Sequence, residues 1–96
     1  MDPPVGEAAR VPVKETPHVL VVEDEPDIAA LIAHTLERSD AMHATAVASG
    51  DAALRAIAER LPDLVILDLN LPVLSGIEVC RILRSRAATA TLPSSC

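Results

Sequence analysis

At 96 residues the chain has room for one domain, and with half its residues hydrophobic but no Phe, Tyr or Trp, any core must be aliphatic. A net charge of −6, from 14 acids against eight bases, argues against a general nucleic-acid binder, which needs Lys and Arg to displace phosphate counterions. Cys80 and Cys96 show neither zinc spacing nor a disulfide framework, and signal-peptide order and a ~20-residue apolar span are both lacking, so a soluble cytoplasmic protein is expected.

Residues 1–16, MDPPVGEAARVPVKET, are proline-rich and without usable period, and read as a disordered leader. HVLVV (18–22) is a β-branched run, apolar on both faces, as in a buried parallel strand. Pro26 suits the first turn of a helix, and Ile28, Leu31, Ile32, Thr35 and Leu36 follow at the spacing of one helical face. MHATAVA (42–48) alternates weakly, as an edge strand would. Ser49 caps a second predicted helix carrying Leu54, Ile57 and Leu61. Pro62 and Asp63 end that helix, and LVILDL (64–69) is a third strand. Ser75-x-x-Glu78 has the form of a capping box and opens a third helix through about Arg86. The tail, 87–96, is small and polar and reads as irregular.

Strands alternating with helices in the order βαβαβα imply an α/β fold, with a parallel sheet, helices on its faces and right-handed crossovers. Ligands of such sheets sit beyond the carboxyl ends of the strands. There the first strand ends in Glu23, Asp24 and Glu25, and the third at Asp68. If these strands are neighbours, Glu23, Asp24 and Asp68 converge. Unit charges 4 Å apart repel by about 4 kcal/mol at an effective dielectric near 20, so the cluster calls for a cation. Loosely arranged oxygen ligands suit Mg²⁺. A plainer reading stands beside this one: acids before a helix favour its positive end, and Asp favours turns.

Other chemistries fit less well. No G-x-G-x-x-G follows the first strand, and the loop at Asp68 reads Asp-Leu-Asn rather than the Asp-x-Asp of a carboxylate-nucleophile phosphatase. His18, His34 and His43 read as surface or strand-edge residues, Cys80 as a small core residue, and Arg81, Arg84 and Arg86 as a solvated helix end.

VLVVEDEPDIAALI, VASGDAALRAI and PDLVILDLNLPVLSGIEVCRILR together resemble the receiver domain of bacterial two-component response regulators, over about His18 to Arg86. The wording is most similar to receivers joined to a C-terminal winged-helix DNA-binding domain. The resemblance implies a partial flavodoxin-like doubly wound sheet: residues 17–86 hold strands in the order 2-1-3, and strands four and five are missing. It further implies that Asp68 is the phosphoacceptor, and that Glu23, Asp24, Asp68 and the backbone carbonyl of Asn70 hold Mg²⁺. Pro72 and Gly76 support the loop. A histidine kinase is the implied partner, and the chain is a signalling phosphoprotein rather than an enzyme. It has no membrane partner and does not bind nucleic acid directly.

The family also places a Ser or Thr at the end of strand four and a Lys at the end of strand five. Neither has a counterpart here: the sole lysine is Lys14, and Thr91, Ser94 and Ser95 lack a strand context. The chain therefore reads as C-terminally truncated. Its third strand becomes an open edge that invites self-association, and its first helix is left partly uncovered. The alternative to a working receiver is a truncated, switch-incompetent fragment that at most binds metal or docks a partner.

Overall fold

The computed structural model describes residues 16–38, 42–68, 71 and 74–95. The order is β1 (His18–Val22), α1 (Pro26–Glu37), β2 (His43–Val47), α2 (Gly50–Glu59), β3 (Leu64–Leu67) and α3 (Gly76–Ser85). The strands form one parallel sheet in the order β2-β1-β3, so the expected βαβαβα, 2-1-3 architecture holds. The leader expected over 1–16 lies outside the described residues except for Thr16.

Local chemistry accounts for the element boundaries. All five residues of β1 are buried, as the central strand of a sheet covered on both faces requires. β2 is half exposed, as an edge strand is. Pro26 opens α1 with Asp27 in its first turn. Ser49 Oγ accepts from Ala52 N at 3.3 Å, and Ser75 Oγ accepts from Glu78 N at 3.2 Å, so both expected caps form. Gly50 is needed where α2 meets the loop before α3. A Cβ there would lie 2.6 Å from the Leu74 carbonyl oxygen and 2.8 Å from Val79 Cγ2.

The core is wholly aliphatic: Leu20, Val22, Ile57, Val65, Leu67, Val79, Leu83 and Leu92 pack with Ala53 between the sheet and the α2–α3 layer. Two helical faces differ from their sequence reading. α1 buries Ala29 and half-buries Ile32, Ala33 and Leu36, whereas Ile28 and Leu31 are 47% and 66% exposed. No element among the described residues covers that side, as the reading of an uncovered first helix anticipated. Leu61 lies past the end of α2 and is exposed, because the chain has already turned towards Pro62.

His18 departs further from expectation: it begins the central strand and is 8% exposed. Its N–H donates to Asp63 Oδ2 at 2.7 Å, Asp63 N donates back to His18 O at 2.7 Å, and ring Nε2 lies 2.9 Å from Thr45 Oγ1. Ring Nδ1 is buried without a hydrogen-bond partner. Burial, then Arg60, with His43 adding and Asp63 opposing, lowers the imidazole pKa from its ordinary 6.5. Glu59 lines the same small cavity. The unfolded chain therefore takes up this proton first. The stability contributed by a neutral His18 is present above pH 6.5 and is lost as the pH falls below it. The urea midpoint should drop between about pH 7 and pH 5.5, and His18→Gln should flatten that part of the profile. An unchanged slope in the variant would assign the drop to other groups.

The described residues of the tail form no helix or strand, but they run back along the sheet. After turns over 86–91, Val65 N donates to Pro93 O and Ser95 N donates to Val65 O, both at 3.0 Å, so Ser94 bridges Val65 in parallel. The outer edge of β3, expected to be open, is lined by residues 93–95. Cys80, read as a small packed residue, is half-buried against the core and is disulfide-bonded, which corrects the reading of unlinked cysteines. Cys96 lies outside the described residues.

Candidate functional site

The carboxyl ends of β1 and β3 bring the acids together because their register dictates it. Val22 pairs with Leu67, so the next residues, Glu23 and Asp68, leave the sheet side by side. Two main-chain bonds fix those exits: Asp68 N donates to Val22 O and Glu23 N donates to Val47 O, each at 3.0 Å. Asp24 is carried on the turn into α1, where Glu25 N donates to Glu23 Oε2 at 3.2 Å.

One carboxylate oxygen each of Glu23, Asp24 and Asp68 lies within 4.8 Å of the others. Glu23 and Asp68 are half-buried and Asp24 is exposed, so the cluster opens to solvent at one edge. The Glu25 amide pulls the Glu23 carboxyl pKa down. Desolvation, the Asp68 charge and hydrogen bonds shared with Asp68 and Asp24 outweigh it and raise the pKa above 4.5. The strain on this cluster is like-charge repulsion, which a divalent cation relieves directly. Hard oxygen donors at one partly open edge fit Mg²⁺, which binds through one or two carboxylates and keeps several waters. A groove of about 330 Å³ beside Glu23 and Asp24, lined by Pro26, Ala29, Ala30, Ala46, Val47 and Ala48, leaves the approach free of bulky side chains.

Of the residues singled out in the sequence, the structure unites Glu23, Asp24 and Asp68. Gly76 is buried as the first residue of α3, behind its Ser75 cap. Asn70 and Pro72 lie outside the described residues. Sequence reasoning missed Ser95: its Oγ accepts from Leu67 N at 2.9 Å, one residue before Asp68. Nothing in TLPSSC signals that contact, because it depends on the tail turning back along β3. Among the described residues, no helix is long and apolar enough to cross a membrane.

A family model described as the response regulator receiver domain matches residues 19–93. The phosphate regulon transcriptional regulatory protein PhoB of Rhizobium meliloti strain 1021 is 46% identical over 77 residues, covering 80% of this chain and 34% of that protein. The DNA-binding response regulator MtrA of Mycolicibacterium smegmatis is 43% identical over 67 residues, covering 70% of this chain and 29% of its own length. Among solved structures, the N-terminal domain of a response regulator receiver protein from Methanoculleus marisnigri JR1 superposes with a TM-score of 0.77 at 31% identity, covering 81% of this chain and 63% of the other. The Vibrio cholerae chemotaxis response regulator CheY4 gives 0.76 at 28% identity, covering 82% and 65%. The chain spans about a third of the length of the curated relatives it matches. A match running from the central strand to the residues that line β3 carries the assignment: this chain belongs to the response regulator receiver domain family of two-component systems.

Proposed function

We propose that the chain accepts a phosphoryl group from a histidine kinase onto Asp68, with Mg²⁺ held by Glu23, Asp24 and Asp68. The observation that carries this reading is the convergence of the three carboxylates within 4.8 Å beyond β1 and β3. An Asp68 oxygen attacks phosphorus while the bond from phosphorus to the kinase imidazole nitrogen breaks, so the chain is the acceptor and not a turnover enzyme. When bound, the cation screens the incoming phosphoryl charge. Glu23 and Asp24 hold that cation beside Asp68, and the Asp68 main-chain bond to Val22 O fixes the nucleophile's exit from the sheet. PhoB and MtrA are named as transcriptional or DNA-binding regulators. Control of transcription is the output we assign to the protein this receiver serves. Incubation with acetyl phosphate and Mg²⁺ should give an acid-labile adduct by intact mass, lost when the cation is chelated. No adduct in either condition would refute the proposal.

A second reading, a receiver that takes phosphate without switching, is favoured by one observation. The hydroxyls of Ser94 and Ser95 are already engaged, by Arg84 and by the Leu67 amide respectively. Under that reading, acetyl phosphate would add the adduct without changing hydrogen exchange anywhere in the chain.

A further inference from the structure

Two clasps on α3, one helical turn apart, hold the segment that runs along β3. Arg84 is the first: its Nη1 donates to Ala90 O at 2.8 Å and to Leu92 O at 2.9 Å, and its Nη2 donates to Ser94 Oγ at 2.7 Å. Cys80, four residues earlier and so on the same side of the helix, is the second, because it is disulfide-bonded. Its partner follows by elimination: the sequence holds two cysteines, and the other is Cys96. The segment runs parallel to β3, with Ser94 beside Val65, and so advances towards the Asp68 end of the strand. There Ser95 Oγ accepts from Leu67 N at 2.9 Å. Up to Leu92 the segment has anchors of its own. Leu92 and Thr89 are buried, and Thr89 Oγ1 donates to Leu83 O at 2.6 Å. Past Leu92, Pro93 and Ser95 are exposed, and hydrogen bonds take the place of burial.

We infer that Cys80 and Cys96 form a redox modification site whose oxidation state sets how firmly residues 93–95 grip β3 beside Asp68. Both states suit α3. Val79 and Leu83, at 0% and 1% exposure, pin the helix to the core whatever the sulfur carries. A reduced Cys80, half-buried against that core, packs as a small hydrophobe. Reduction proceeds by thiol–disulfide exchange with a dithiol. One thiolate of the dithiol attacks a sulfur of the pair, the S–S bond breaks, and the departing sulfur takes up a proton. The second thiolate then resolves the mixed disulfide. The protein pair has gained two electrons and two protons, and the dithiol leaves as its own disulfide. With the covalent ring around residues 81–95 opened, the remaining hydrogen bonds are each worth little net, and release of 93–95 becomes a local event. The inference is independent of phosphorylation at Asp68.

The test is peptide mapping and amide hydrogen exchange on the full chain, oxidised, equilibrated with dithiothreitol, and as Cys96→Ser. The non-reduced map of the monomer should contain a cross-linked peptide pair joining Cys80 to Cys96. Dithiothreitol should cleave it in the folded protein, and re-oxidation should restore it. Exchange at the Leu67 and Ser95 amides should rise on reduction on the order of tenfold, while Val79 and Leu83 stay unchanged. Cys96→Ser should show the faster pattern with and without reductant, which separates loss of the bond from any other action of dithiothreitol. Both cysteines alkylated in the non-reduced monomer, or a cross-link that joins two copies, would overturn the inference. So would a linkage cleaved only in urea, or exchange at Leu67 and Ser95 that is the same in both states.

Discussion

Leu20→Ala is expected to unfold a large share of the protein at physiological temperature. Leu20 lies mid-way along the central strand, is 1% exposed, and packs into the aliphatic cluster between the sheet and the α2–α3 layer. Truncating a buried Leu costs about 2–5 kcal/mol, the lost transfer energy plus the cavity left behind. The whole stability of a domain this small is only about 5–10 kcal/mol. No aromatic ring is available to collapse into the hole, and the neighbouring Val and Ala side chains are too short to refill it. Leu31→Ala is the control. Leu31 is 66% exposed on the uncovered side of α1, and its truncation should change stability by about 0.5 kcal/mol or less. Far-ultraviolet circular dichroism melts of the pair read the contrast directly. Equal losses would mean that the side of α1 bearing Leu31 is covered in solution.

Asp68→Asn is the change with the largest expected effect on function, and its effect on stability has the opposite sign. The amide cannot be phosphorylated through an acyl bond, so the adduct should fall to background. Removing one of three converging carboxylates should also weaken Mg²⁺ binding by about tenfold or more, since each charge contributes on the order of 1–4 kcal/mol at these separations. The apo chain, however, loses like-charge repulsion between Asp68 and Glu23. It should therefore become slightly more stable, by a few tenths to about 1 kcal/mol at so open a site. Titration calorimetry with Mg²⁺ and urea melts in chelator separate the two effects. A variant that lost metal affinity because it was misfolded would lose stability as well.

The fold was largely legible because its signals are local and periodic. HVLVV read as a buried strand and LVIL as a third strand, Ser49 and Ser75 announced their helices, and the alternation of elements set the sheet parallel. The acids at the strand ends were visible too, and the register of β1 on β3 turned a conditional convergence into an observed one. Three features escaped the sequence, each for a physical reason. His18 is polar by type and so reads as surface, but its burial is set by Thr45 and by Asp63, 27 and 45 positions away. The inward face of α1 passes through Ala29 and Ala33, which carry too little hydrophobic signal to compete with Ile28 and Leu31. The tail's place along β3 comes from main-chain bonds to Val65 and from Arg84 reaching three acceptors, in a segment with no period of its own.

The measurement that bears most directly on the phosphoacceptor is borohydride trapping. After incubation with acetyl phosphate and Mg²⁺, reduction converts an aspartyl phosphate to homoserine, and peptide mass spectrometry locates the change. The expected result is conversion at Asp68 alone, abolished by chelation and absent from Asp68→Asn. Conversion at Glu23, Asp24 or any other acid with Asp68 intact, or none at all in the folded protein, would contradict the assignment of Asp68.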